Sequence, residues 1–75
     1  MFLSAMPKLP GIAHQPVVKA FEKAGFWIVR SGKHISMTNG EHIIIIPHND
    51  PINAFTMAGI VKDAGLTIEE FKKLL

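Results

Sequence analysis

The sequence predicts one α+β domain: a helix, a three-stranded antiparallel sheet, then two more helices, with all helices on one face of the sheet. Three observations predict it. Val17, Ala20, Phe21 and Ala24 recur at helical spacing. Three short runs rich in β-branched and aromatic residues follow, separated by Gly32-Lys33 and Asn39-Gly40. Helical spacing then returns at Met57, Ile60, Val61 and Ala64. A three-stranded sheet cannot bury both faces by itself, so the helices must cover one of them. The other face is left for solvent or a partner.

Residues 1–13 read as an extended arm, because Pro7, Pro10 and Gly11 break regular structure there. The first helix is expected over Gln15–Ala24. Pro16 suits a first helical turn, where its missing N–H costs nothing, and Gly25 suits a left-handed stop. Phe26–Ser31 is the first strand. His34–Thr38 alternates, with His34, Ser36 and Thr38 on one side and Ile35 and Met37 on the other. Asn39-Gly40 predicts a two-residue hairpin, pairing Thr38 with Glu41 and Met37 with His42. Glu41–Ile46 is then the third strand, ended by Pro47. A loop follows over His48–Ala54, and the second helix over Thr56–Ala64. Thr67-Ile68-Glu69-Glu70 is a capping box that opens the last helix.

Composition narrows the function classes. The 75 residues make one small domain with 48% hydrophobic and 19% charged residues, which is globular rather than disordered. There is no cysteine, so disulfides, thiolate metal sites and cysteine nucleophiles are excluded. This absence fits a reducing cytoplasm. The longest apolar run, Ile43–Ile46, is far too short to cross a membrane. A net charge of +2 permits a polyanionic partner without arguing for one.

Four histidines are the candidates for chemistry: His14, His34, His42 and His48. His34 is placed on the polar side of the middle strand, facing away from the helices. An exposed imidazole titrates near cell pH and serves as general base or acid. Arg30 and Lys33 flank it in sequence, and either could hold a phosphate. The same pattern also suits an ordinary surface histidine. His48, at the exit of the third strand, could close a site with His34 or be a polar loop residue. His42 is expected on the helix-covered side as a partly buried structural residue, and His14 at the helix entry. No pair of histidines has the spacing that zinc sites use, so no metal and no cofactor are expected. There is no Gly-x-Ser-x-Gly elbow and no Gly-rich phosphate loop.

The Ile43–Ile46 run cannot hide all four side chains on one face. Ile44 and Ile46 are expected inward, and Ile43 and Ile45 outward beside Ser36 and His34. With Trp27 or Val29 they would form an exposed apolar patch, unless Phe2 and Leu3 fold over them.

These residues resemble a family. Met6-Pro7-Lys8-Leu9-Pro10-Gly11, a helix, Gly25-Phe26 with Arg30, Gly32-Lys33-His34, Ile46-Pro47-His48 and Phe55-Thr56-Met57 follow the order and spacing of the HicA-like toxins. So does the stretch from Ile60 to Thr67. The resemblance runs from about Met6 to Leu75. Two positions depart from its pattern: Lys33 stands where serine is usual, and Phe55 where glycine precedes Thr56.

The resemblance implies a fold similar to double-stranded-RNA-binding domains and a ribosome-independent mRNA endonuclease. It implies a cytoplasmic toxin of a toxin–antitoxin system, with a HicB-like antitoxin that covers the active site and DNA contacted only through that antitoxin. The family's catalytic histidine falls on His34. The expected reaction is metal-independent transesterification, with neutral His34 taking the 2′-OH proton. Lys33, Arg30, Gly32 and His48 are expected to bind the RNA phosphates. The alternative is a non-catalytic RNA- or protein-binding module on the same scaffold. Against duplex binding, the second helix offers only Lys62, balanced by Asp63.

Overall fold

A computed structural model of the chain describes residues 11–75. Its elements are α1 (His14–Lys23), β1 (Trp27–Ser31), β2 (His34–Thr38), β3 (Ile43–Pro47), α2 (Ala54–Asp63) and α3 (Ile68–Leu74). The expected α-β-β-β-α order is the order found, with the sheet running β1-β2-β3 and both pairings antiparallel. Most of the extended arm, residues 1–10, lies outside the described residues. Its last part is not free: Ile12 and Ile52 form an isolated bridge through two backbone hydrogen bonds of 2.8 and 3.2 Å.

Each helix boundary has a chemical cause. α1 begins at His14, one residue earlier than the expected Gln15, because Asp50 Oδ1 accepts the His14 backbone N–H at 3.0 Å. A loop carboxylate thereby satisfies a donor that helix N-termini leave orphaned. α2 begins at Ala54 rather than Thr56, because Asn53 is its N-cap and its Oδ1 accepts the Thr56 N–H at 2.8 Å. The capping box at α3 is present in both directions: Thr67 Oγ1 accepts from Glu70 N, and Glu70 Oε1 accepts from Thr67 N.

The core lies between the helices and the β2–β3 half of the sheet. Phe21, Met37, Ile44, Ile46, Ile52, Met57 and Phe71 are fully buried there. The Phe21 ring meets Phe71 at 5.0 Å between centroids and Phe26 edge-on at 5.5 Å. α1 and α2 both pack on β3, and α3 packs on α1 and α2. β1 extends beyond this cover, and all five of its residues are exposed.

The β2–β3 register corrects the sequence expectation. Thr38 pairs with Ile43 rather than Glu41, and Met37 with Ile44 rather than His42. The turn therefore holds four residues, Asn39–His42. Side chains close it: Asn39 Oδ1 accepts from Glu41 N and His42 N, and Thr38 Oγ1 donates to the His42 carbonyl at 2.7 Å. This Asx-type hydrogen bonding outcompetes the tighter hairpin. β3 consequently starts at Ile43, two residues later than expected, and includes Pro47. A shift of two preserves the faces, because side chains alternate with period two. Ile44 and Ile46 are buried and Ile43 and Ile45 exposed, as the alternation required.

Candidate active site

The site is built on the open face by strand parity. β1 pairs regularly with β2 at Trp27–Thr38 and Ile28–Met37, then slips by one residue, so that Arg30 lies opposite Ser36. Val29 is the extra residue of this bulge. Without it Arg30 would pair with Ile35, whose side chain is buried under the helices. The bulge turns Arg30 onto the same face as Ser36 and His34. Bulges commonly re-aim side chains in this way.

The open face then carries three cross-strand rows. Trp27, Thr38 and Ile43 form the first, Arg30, Ser36 and Ile45 the second, and His34 with Pro47 the third. Rows on one face of a sheet repeat about every 6.6–6.8 Å. Arg30, Gly32, Lys33, His34, Ser36 and Ile45 line a shallow cleft of about 240 Å³ at the end of this face. The Gly32-Lys33 turn is held by the Gly32 N–H, which donates to the His34 carbonyl at 3.1 Å. That bond brings the turn back over the start of β2, so Lys33 and His34 edge one cleft. His34 is exposed. No acidic side chain lines the cleft, which therefore presents two fixed cations and one imidazole.

Of the five residues singled out in the sequence, the structure brings four together here: His34, Lys33, Arg30 and Gly32. His48 is not among the lining residues. Its ring sits against His14 instead, with centroids 4.9 Å apart. Ser36 and Ile45 complete the lining, and alternation along β2 and β3 puts both on this face.

A second cluster was not legible in the sequence. His14 Nδ1 lies 2.7 Å from Asp50 Oδ1, which also accepts the His14 backbone N–H. Those hydrogen bonds, the backbone one foremost, hold the Asp50 carboxyl below its ordinary range. His14 and Asp50 are 36 positions apart, and no local pattern announces the pair. His14 also lines a groove of about 290 Å³ with Gln15, Val18, Lys19, Glu22 and Ile35. Glu22 places a carboxylate in that groove, which disfavours a phosphate. The cleft at His34 is the better seat for a polyanion.

His42 packs beside Gly65, on the covered side where it was expected. Among the described residues no group of three or more His, Asp or Glu side chains could hold a metal ion. No helix among them is long and apolar enough to cross a membrane.

Comparison with known proteins finds a family match. The family model described as HicA toxin of bacterial toxin-antitoxin covers residues 15–66, from α1 to the loop after α2. No curated protein and no solved structure matches significantly. The match spans well over half of the chain and includes all three strands that build the cleft, so this chain belongs to the HicA toxin family of bacterial toxin–antitoxin systems.

Proposed function

We propose that this chain is a metal-independent endoribonuclease acting on mRNA, with His34 as its catalytic base. The observation that carries the reading is the placement of exposed His34 in one cleft with Arg30 and Lys33 and no carboxylate. Neutral His34 takes the proton from a ribose 2′-OH. The 2′ oxygen attacks the adjacent phosphorus, and the bond to the 5′ oxygen breaks. The leaving oxygen takes up a proton, from the His34 imidazolium or from water, so charge and protons balance. The products are a 2′,3′-cyclic phosphate and a 5′-hydroxyl.

Arg30 and Lys33 hold the phosphate and offset the charge that builds on its non-bridging oxygens. Such fixed donors are worth roughly 10²–10³ in rate, and a positioned base typically 10²–10⁴. DNA lacks the 2′-OH and would bind without being cleaved in this way. The Gly32 backbone belongs to the phosphate seat. His48, in the adjoining loop outside the cleft's lining, is a phosphate contact for RNA that leaves the cleft past Pro47, the cross-strand partner of His34.

Lys33 stands where the family pattern has serine. An ammonium there adds a point charge that a hydroxyl lacks, which raises the share of phosphate binding carried by Coulomb attraction. The partner is a HicB-type antitoxin that covers this face, in the cytoplasm, with any contact to operator DNA made through it. The exposed Ile43 and Ile45 beside the cleft favour such a protein contact. Incubating the purified chain with mRNA tests the reading: His34→Ala is expected to abolish cleavage while circular dichroism stays unchanged.

A further inference from the structure

Trp27 lies at the far end of the open face from His34 and has no part in the chemistry above. It is 52% exposed although it is the chain's only tryptophan and one of its largest apolar side chains. Its cross-strand partners are Thr38 and then Ile43, so its ring stands on the face that carries Arg30 and His34. The ring edge has a fixed neighbour: Cη2 is 3.9 Å from where a Cβ on Gly40 would lie. Gly40 has φ +97°, a backbone conformation that side chains rarely adopt, so the turn beneath this ring is kept bare.

The rows give a scale. Two row spacings separate Trp27 from His34, about 13 Å of strand. An extended single strand of RNA advances about one nucleotide per 6–7 Å, the same repeat as one row. A strand laid along the face with its reacting phosphate at His34, within reach of the Arg30 guanidinium, therefore passes the row of Ser36 and Ile45 one step on and reaches Trp27 two steps on. The charge pattern fits such a strand: Arg30, Lys33 and His34 stand at one end, and none of the open-face residues in the three rows is acidic. Aromatic platforms with cationic neighbours are the usual means of holding single strands, since every base has a π-face.

We infer that Trp27 is a substrate-positioning residue, on which the nucleobase two nucleotides from the cleaved phosphate stacks, and that the substrate is single-stranded RNA. This inference rests on the reading of His34 as the cleavage centre. Trp27 acts on binding and register and touches no reacting atom.

The sole tryptophan is its own reporter. The test uses the full chain carrying His34→Ala and a 2′-O-methylated single-stranded RNA octanucleotide, so that nothing is cleaved. Intrinsic fluorescence follows Trp27, and anisotropy of a dye on the oligonucleotide follows binding independently. The expected result is quenching on binding, with affinity about tenfold to a hundredfold weaker for Trp27→Ala and within a few-fold of the parent for Trp27→Phe. An abasic nucleotide should reproduce the loss at one position only. With His34 restored, Trp27→Ala should raise KM by a similar factor and leave kcat within a few-fold. Binding by anisotropy with unchanged fluorescence, or equal affinity for every abasic oligonucleotide, overturns the inference but leaves the cleavage reading standing. No binding of RNA by the folded protein overturns both. A fluorescence change with a HicB-type antitoxin but none with RNA assigns Trp27 to the protein interface instead.

Discussion

Arg30 lies directly across from Ser36, one residue out of the register that Ile28 and Met37 set. That single slip at Val29 gives the guanidinium access to the cleft that holds His34. If Arg30 neutralises the phosphate as the reaction proceeds, Arg30→Ala lowers kcat about 10²-fold or more with little change in stability. Arg30→Lys keeps the charge but loses the fork, and should recover only part of the rate. Single-turnover cleavage of one RNA by the three proteins checks this. An unchanged rate in Arg30→Ala removes the bulge from the functional account.

The tie between α1 and the loop at Asp50 makes stability depend on pH. His14 hydrogen bonds hold the folded-state Asp50 carboxyl below its unfolded value. A depressed carboxylate contributes stability that is fully present above its unfolded pKa and is lost as pH falls through the folded one. The melting temperature should therefore fall as pH drops below about 4, near the ordinary carboxylate range. Asp50→Asn should melt lower at neutral pH and fall less steeply in acid. Thermal melts by circular dichroism from pH 7 to pH 2.5 check the slope. Parallel curves for the two proteins would remove the Asp50–His14 pair as its source.

Gly65 carries two constraints that one substitution separates. Its φ is +78°, and a Cβ there would lie 2.7 Å from His42 Nε2. Gly65→Ala should destabilise by more than the roughly 1–2 kcal/mol that a left-handed backbone alone costs. Adding His42→Ala in the same chain should recover the part due to contact and leave the backbone part. Urea unfolding of the two single variants and the double variant gives the coupling directly.

The aromatic pair at the centre of the helix layer is the sensitive point of the core. Phe71 is fully buried against Phe21 and is the sole buried residue of α3. Phe71→Ala should cost about 3–5 kcal/mol. Small domains hold only about 5–15 kcal/mol in total, so the variant should sit at or near its unfolding transition at room temperature. Thr67→Ala, which removes the cap of the same helix, should cost about 0.5–2 kcal/mol. Urea midpoints rank the two.

What the sequence disclosed follows from the range of the forces involved. Helical spacing, the capping box at Thr67 and the alternation in His34–Thr38 are local, and each is found where it was expected. The inward and outward isoleucines followed too, because period two survives a register shift of two. The β2–β3 register itself did not, since the Asn39 and Thr38 side chains settled the turn by hydrogen bonds that Asn39-Gly40 alone does not reveal. The bulge at Val29 leaves no mark on composition, so the orientation of Arg30 needed coordinates. The His14–Asp50 pair joins residues from opposite halves of the chain. The sequence does not separate the two roles of His48; its ring lies against His14, beside that pair.

The central claim is that the His34 imidazole breaks RNA. The most direct measurement is cleavage of a defined single-stranded RNA by the intact chain and by His34→Gln, in the presence of a chelator, with products resolved at their ends. The account predicts a 2′,3′-cyclic phosphate and a 5′-hydroxyl from the parent, and at least a 10²-fold slower reaction from the folded variant. Equal rates from the two proteins, or products with a 5′-phosphate, would contradict it.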